Sequence, residues 1–87
     1  MEIEKLRNKI DDLDGKILRL FEKRLDLVLK ILEYKKENGI KIKDIKREEE
    51  ILKKVKEIAY EKYYEYDVDL TLKILQISKK FQYDSLL

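Results

Sequence analysis

Four arginines stand among seventeen lysines in these 87 residues. A chain that meets its need for positive charge with lysine uses arginine where a rigid, planar fork is wanted, one that grips a carboxylate or phosphate through two parallel hydrogen bonds. The four are Arg7, Arg19, Arg24 and Arg47. Arg24 is the most telling by position. The series Ile3, Leu6, Ile10, Leu13, Ile17, Leu20, Arg24, Leu27, Ile31, Tyr34 keeps a strict 3-4 spacing, and Arg24 is its one charged member. Two readings follow. A lone polar residue in such a seam sets register or pairs with a carboxylate across it. Alternatively, the guanidinium is held half-buried to bind an anion.

Lys35 lies eleven residues beyond Arg24, almost three helical turns, on the same face and about 16 Å along the axis. Taken alone it reads as a solvated lysine at a helix end. The run Asp44-Ile45-Lys46-Arg47-Glu48 reads most simply as a helix cap followed by surface charge. Ser78 and Gln82 are one turn apart at positions that otherwise read as buried, in a chain with two Ser and two Gln in all. Buried polar groups want partners. This pair is therefore either a polar helix contact or half of a site.

The elements that must position these groups are helices. There is no proline, there are two glycines, and strand alternation is absent. The seam predicts one helix of about 35 residues, about 50 Å long, too long to bury itself in a monomer of this size. Leu18, Phe21, Leu25, Val28 and Leu32 widen its apolar face. Gly15 lies within it at a cost of about 1 kcal/mol. Asn38-Gly39 ends it, with Gly39 in the left-handed region. Asp44 caps a second helix expected from Ile45 to about Tyr63, with Ile51, Leu52, Val55, Ile58 and Ala59 inward. The tyrosine-rich stretch Tyr60–Tyr66 is expected to hold the turn. Asp67 is expected to cap a third helix carrying Leu70, Ile74, Leu75, Ser78, Phe81 and Gln82 along one side. The class is all-α: one long helix and two shorter ones in a single domain spanning residues 1–87.

Composition excludes much. With no cysteine there is no disulfide framework and no thiolate chemistry; with no histidine the commonest general base and metal ligand is missing. No metal site and no cofactor motif is recognisable. A net charge of +2, with acidic residues interleaved among the basic ones, does not suggest nucleic acid. No apolar run approaches the roughly 20 residues that span a bilayer, and Met1–Lys5 runs straight into a charged, periodic segment. The expectation is a cytoplasmic protein with no membrane partner.

Together, in this order and spacing, the signals resemble the all-helical chorismate mutase family, in its small monofunctional type. The resemblance covers nearly the whole chain. It rests on Leu6-Arg7-x-x-Ile10-Asp11-x-Leu13-Asp14, on Glu22-Lys23-Arg24, on Tyr34-Lys35, on Asp44-x-x-Arg47-Glu48, and on Ile74-Leu75-x-x-Ser78-x-x-x-Gln82. This offset in the third helix matches both polar residues and the preceding apolar pair at once. A shift of two residues would put Lys80 and Asp84 there; a shift of four, Gln82 and Leu86.

The resemblance implies a Claisen rearrangement of chorismate to prephenate. The substrate is a dianion with two carboxylates, an enol ether and a ring hydroxyl. The reaction needs no nucleophile, metal or redox cofactor. It needs a compact conformer held in place and stabilisation of the negative charge that builds on the ether oxygen. By resemblance, Arg24 and Arg7 clamp carboxylates, and Lys35 and Gln82 donate to the ether oxygen. Glu48 and Asp44 bind the ring hydroxyl, and Ser78 and Arg47 complete the polar wall. Ile31, Leu32, Ile51 and Leu75 are candidates for the apolar lining. Isochorismate–pyruvate lyases share the fold and cationic residues, and Glu48 favours the mutase. A non-catalytic helical dimerisation module would explain the heptads but not the sparing use of arginine, nor Ser78 and Gln82.

Helix geometry adds one expectation. Arg7 is about 25 Å from Arg24 and about 42 Å from Lys35 along a straight helix. If all three serve one small ligand, Arg7 must come from a second chain running antiparallel. That predicts an intertwined six-helix homodimer with two shared sites.

Overall fold

A computed structural model describes residues 1–86. The chain forms α1 (Glu2–Glu37), α2 (Ile45–Ile58), a 3-10 turn (Glu61–Tyr63) and α3 (Tyr64–Ser85), with no strand among the described residues. The all-helical class and the three helices expected from the sequence are present.

α1 has 36 residues, hence about 54 Å of length, and it sets the 56 Å long axis of the molecule. Its end is a Schellman-type cap. Gly39 has φ 63°, and the Ile40 N–H donates to the Lys35 carbonyl at 2.8 Å. The Asn38 side-chain amide adds a bond to the Tyr34 carbonyl. α2 begins as expected, with Asp44 Oδ1 accepting from the Arg47 backbone N–H at 3.0 Å.

Two boundaries differ from expectation. α2 stops at Ile58 rather than near Tyr63. Ala59 and Tyr60 are extended, with ψ 139° and 142°, and the Tyr63 N–H donates to the Tyr60 carbonyl. This 3-10 turn runs directly into α3, so the helix starts at Tyr64 and needs no side-chain cap. Asp67 is consequently inside the first turn, where a carboxylate still complements the positive helix end, but it is not the cap.

α3 is the central element and packs against both α1 and α2; α1 and α2 do not pack on each other. The apolar stripe of α1 explains which part of it α3 can reach. In the C-terminal half, Leu25, Val28 and Leu32 flank the seam, and Val28 and Leu32 are buried with Leu75 of α3. In the N-terminal half the same flanking positions are Glu4, Arg7, Asp11 and Asp14. There only the narrow seam is apolar, a stripe suited to one helix.

That seam is uncovered in the single chain. Its apolar members are about half exposed, from 47% at Ile3 to 66% at Leu20. The radius of gyration is 16.2 Å, against about 12 Å for a compact chain of this length. The accessible surface is 7835 Å², against about 5,500 Å² for a folded monomer of this mass.

Candidate active site

The C-terminal half of α1, the connector, the first two turns of α2 and the C-terminal half of α3 line a cavity of about 310 Å³. Seven of the eight candidate residues line it: Arg24, Lys35, Asp44, Arg47, Glu48, Ser78 and Gln82. Arg7 does not. It lies on the same uninterrupted helix, about 25 Å of helix rise from Arg24, and no fold-back shortens that path.

Arg24 is partly buried, and among the described residues no carboxylate lies within ion-pair distance of it. Its Nη1 donates to Ser78 Oγ at 2.6 Å. Burial, and secondarily the charge of Arg47, push its pKa below the ordinary arginine value. Two cations thus share this cavity wall. A guanidinium still keeps its charge under these conditions. The free site therefore carries an uncompensated, partly desolvated cation, which an entering carboxylate would relieve.

Ser78 lies in the cavity wall with its hydroxyl committed on both sides. Its single hydroxyl proton goes to the Ile74 carbonyl at 2.7 Å, while its oxygen accepts from Arg24. No donor remains for a ligand; the residue anchors Arg24. Lys35 Nζ donates to the Ile42 carbonyl of the connector at 2.9 Å, which uses one of its three N–H groups and leaves two for the cavity. Gln82 is buried. Its Nε2 donates to the Ser78 carbonyl at 3.2 Å, an arrangement that orients the amide, and its second N–H is open. Gln82 Oε1 is buried without a partner.

On the α2 side, Asp44 Oδ1 is committed to capping, and the Arg47 guanidinium turns along the helix to Glu50 at 3.3 Å. Glu48 pairs with Lys79 across the helix interface at 3.1 Å. Lys80 and Asp84, the residues a shifted offset would select, pair with each other on the exposed face. Of the expected apolar lining, Ile31, Ile51 and Leu75 are in the wall, joined by Leu27, Val28 and Ile42. Leu32 is not in the wall; it is buried in the core.

Lys79 is the site residue that sequence reasoning missed. The signal was available, because Lys79 is three residues before Gln82 and so shares its helical face. One lysine among seventeen does not stand out. Counting it, four cations and two carboxylates line the cavity, a formal +2 that complements a dianion. No cluster of three or more Asp, Glu, His or Cys suited to a metal occurs among the described residues. No helix among them is long and apolar enough to cross a membrane.

A cavity lined by a formal +2, with no metal-ligand cluster among the described residues and framed by one long helix and two shorter ones, matches a known family pattern. The family described as chorismate mutase type II matches residues 6–83. The chain belongs to that family. A chorismate mutase of Methanocaldococcus jannaschii is 34% identical over 76 residues, covering 87% of this chain and 75% of that protein. A bifunctional chorismate mutase/prephenate dehydratase of Buchnera aphidicola is 43% identical over 49 residues, covering 56% of this chain and 13% of that longer protein. No solved structure gives a significant match. The chorismate mutase family match spans all seven candidate residues in the cavity wall, and Arg7 as well.

Proposed function

We propose that the protein is an isomerase that rearranges chorismate to prephenate, the step leading towards phenylalanine and tyrosine. Family membership supports the reaction class. The observation that carries the reading in this chain is Arg24, a partly buried cation without a carboxylate partner, in a cavity lined by a formal +2. Arg24, anchored by Ser78, holds a substrate carboxylate. Lys35 and Gln82 offer their free N–H groups to the ether oxygen, where charge develops as the bond breaks. Glu48 and Asp44 face the ring hydroxyl, and Arg47 stands at the rim. The apolar walls select the compact conformer. No cofactor takes part in this scheme.

The site is completed by a second copy of the chain. The exposed seam on α1 and the excess surface of roughly 2,400 Å² over a compact monomer support an interlocked homodimer. In it the antiparallel α1 of the partner brings the Arg7 that the chain cannot supply to its own cavity, and two-fold symmetry makes two such sites.

The test is to follow the loss of chorismate absorbance with purified protein in the presence of a chelator and to identify the product. Prephenate is expected. Release of pyruvate from chorismate as the main product would overturn the assignment, pyruvate release from isochorismate without turnover of chorismate would favour the lyases of the same fold, and turnover that needs a divalent metal would overturn the proposed mechanism.

A further inference from the structure

Glu48 presents a difficulty for the reading above. It places a carboxylate in the wall of a cavity meant for a dianion, and like charges at close quarters repel strongly when partly shielded from water. The structure contains an answer. Lys79 Nζ lies 3.1 Å from Glu48 Oε1, with the two side chains 34% and 26% exposed. The other ion pairs among the described residues join neighbours three or four apart along the chain, on more exposed side chains. This one alone ties two helices together. Lys79 occupies only Oε1; among the described residues nothing donates to Glu48 Oε2.

We infer that Lys79 is a positioning residue for the substrate ring hydroxyl. It neutralises Glu48 and holds one carboxylate oxygen, so that the other accepts the hydroxyl without repelling the dianion. The inference rests on the chorismate reading of the same cavity. An ammonium suits the task because it is a point charge that engages one oxygen. A guanidinium fork tends to take both. The position of Glu48 in the first turn of α2 adds the favourable end of the helix dipole to the same carboxylate. Lys79 acts on binding that is equal in ground and transition states, in contrast to Lys35 and Gln82.

The test is a cycle of variants assayed on chorismate and on an analogue without the ring hydroxyl. Lys79→Met should raise KM about 10- to 100-fold, the range of a lost charge-assisted contact, and should change kcat little. In a Glu48→Gln background, Lys79→Met should add almost nothing, because the charge it balances is gone. On the analogue the penalty for Lys79→Met should shrink. A wild-type KM in Lys79→Met overturns the inference, as does a loss of equal size in the Glu48→Gln background, which would mean that Lys79 touches the substrate itself. A wild-type protein inactive on chorismate brings down the functional reading and this inference with it. The other two outcomes leave that reading standing.

Discussion

Arg24 and Ser78, 54 residues apart in sequence, meet through a 2.6 Å hydrogen bond that fixes α1 to α3 at the cavity wall. The hydroxyl that receives the guanidinium spends its own proton on Ile74, so the bond has one direction. Ser78→Ala should leave an Arg24 N–H without its partner. A fall of about 10-fold in kcat/KM is expected, from the ~1–3 kcal/mol cost of an unmet buried donor. Steady-state kinetics with intact helical circular dichroism would check it. Unchanged kinetics would mean Arg24 needs no anchor.

Arg24 itself should separate stability from activity. It holds an apolar heptad position, is repelled by Arg47 and lacks a counterion. Functional sites commonly carry such local conflicts at a cost in stability. Arg24→Leu should abolish turnover while leaving the thermal midpoint equal or higher. A marked drop in midpoint would show that the arginine is a structural seam residue.

Lys35→Ala and Gln82→Ala should each lower kcat/KM by roughly 10²–10³-fold, as for loss of one donor to developing charge. The effect should fall on kcat. Near-wild-type turnover in both would place the ether oxygen elsewhere in the cavity.

Subunit exchange tests the shared site. Arg7→Ala and Lys35→Ala proteins should each be inactive, and a mixture should regain a fraction of wild-type activity, because each heterodimer has one undamaged site. Absence of recovery after verified exchange, or full activity in a sedimenting monomer, would exclude the interlocked dimer.

The two glycines should respond oppositely to the same substitution. Gly15 is helical, and an added Cβ would meet nothing. Its position, five residues after the seam residue Ile10, points away from the seam. Gly15→Ala should therefore stabilise by about 0.5–1 kcal/mol. Gly39 has φ 63°, so Gly39→Ala should destabilise by about 1 kcal/mol. Urea midpoints would measure both signs. A loss of stability in Gly15→Ala would show that this face of α1 is covered.

The sequence by itself determined the long helix, its end at Asn38-Gly39, the Asp44 cap and the anomaly at Arg24. These are set by nearest-neighbour physics: helical periodicity, a left-handed residue that only glycine takes cheaply, and a side chain that reaches its own backbone. It also pointed to Ser78 and Gln82, because uncharged polar residues on an apolar face are conspicuous. It misplaced the end of α2 and the start of α3, where Tyr60–Tyr66 has no proline or glycine to mark the chain reversal. Only the tertiary structure decided that Ser78 serves Arg24, that Lys35 leans on the Ile42 carbonyl, and that Lys79 balances Glu48. Those pairings join residues up to 54 apart. They depend on how α3 lies across α1 and α2, a geometry set by packing that no local pattern records.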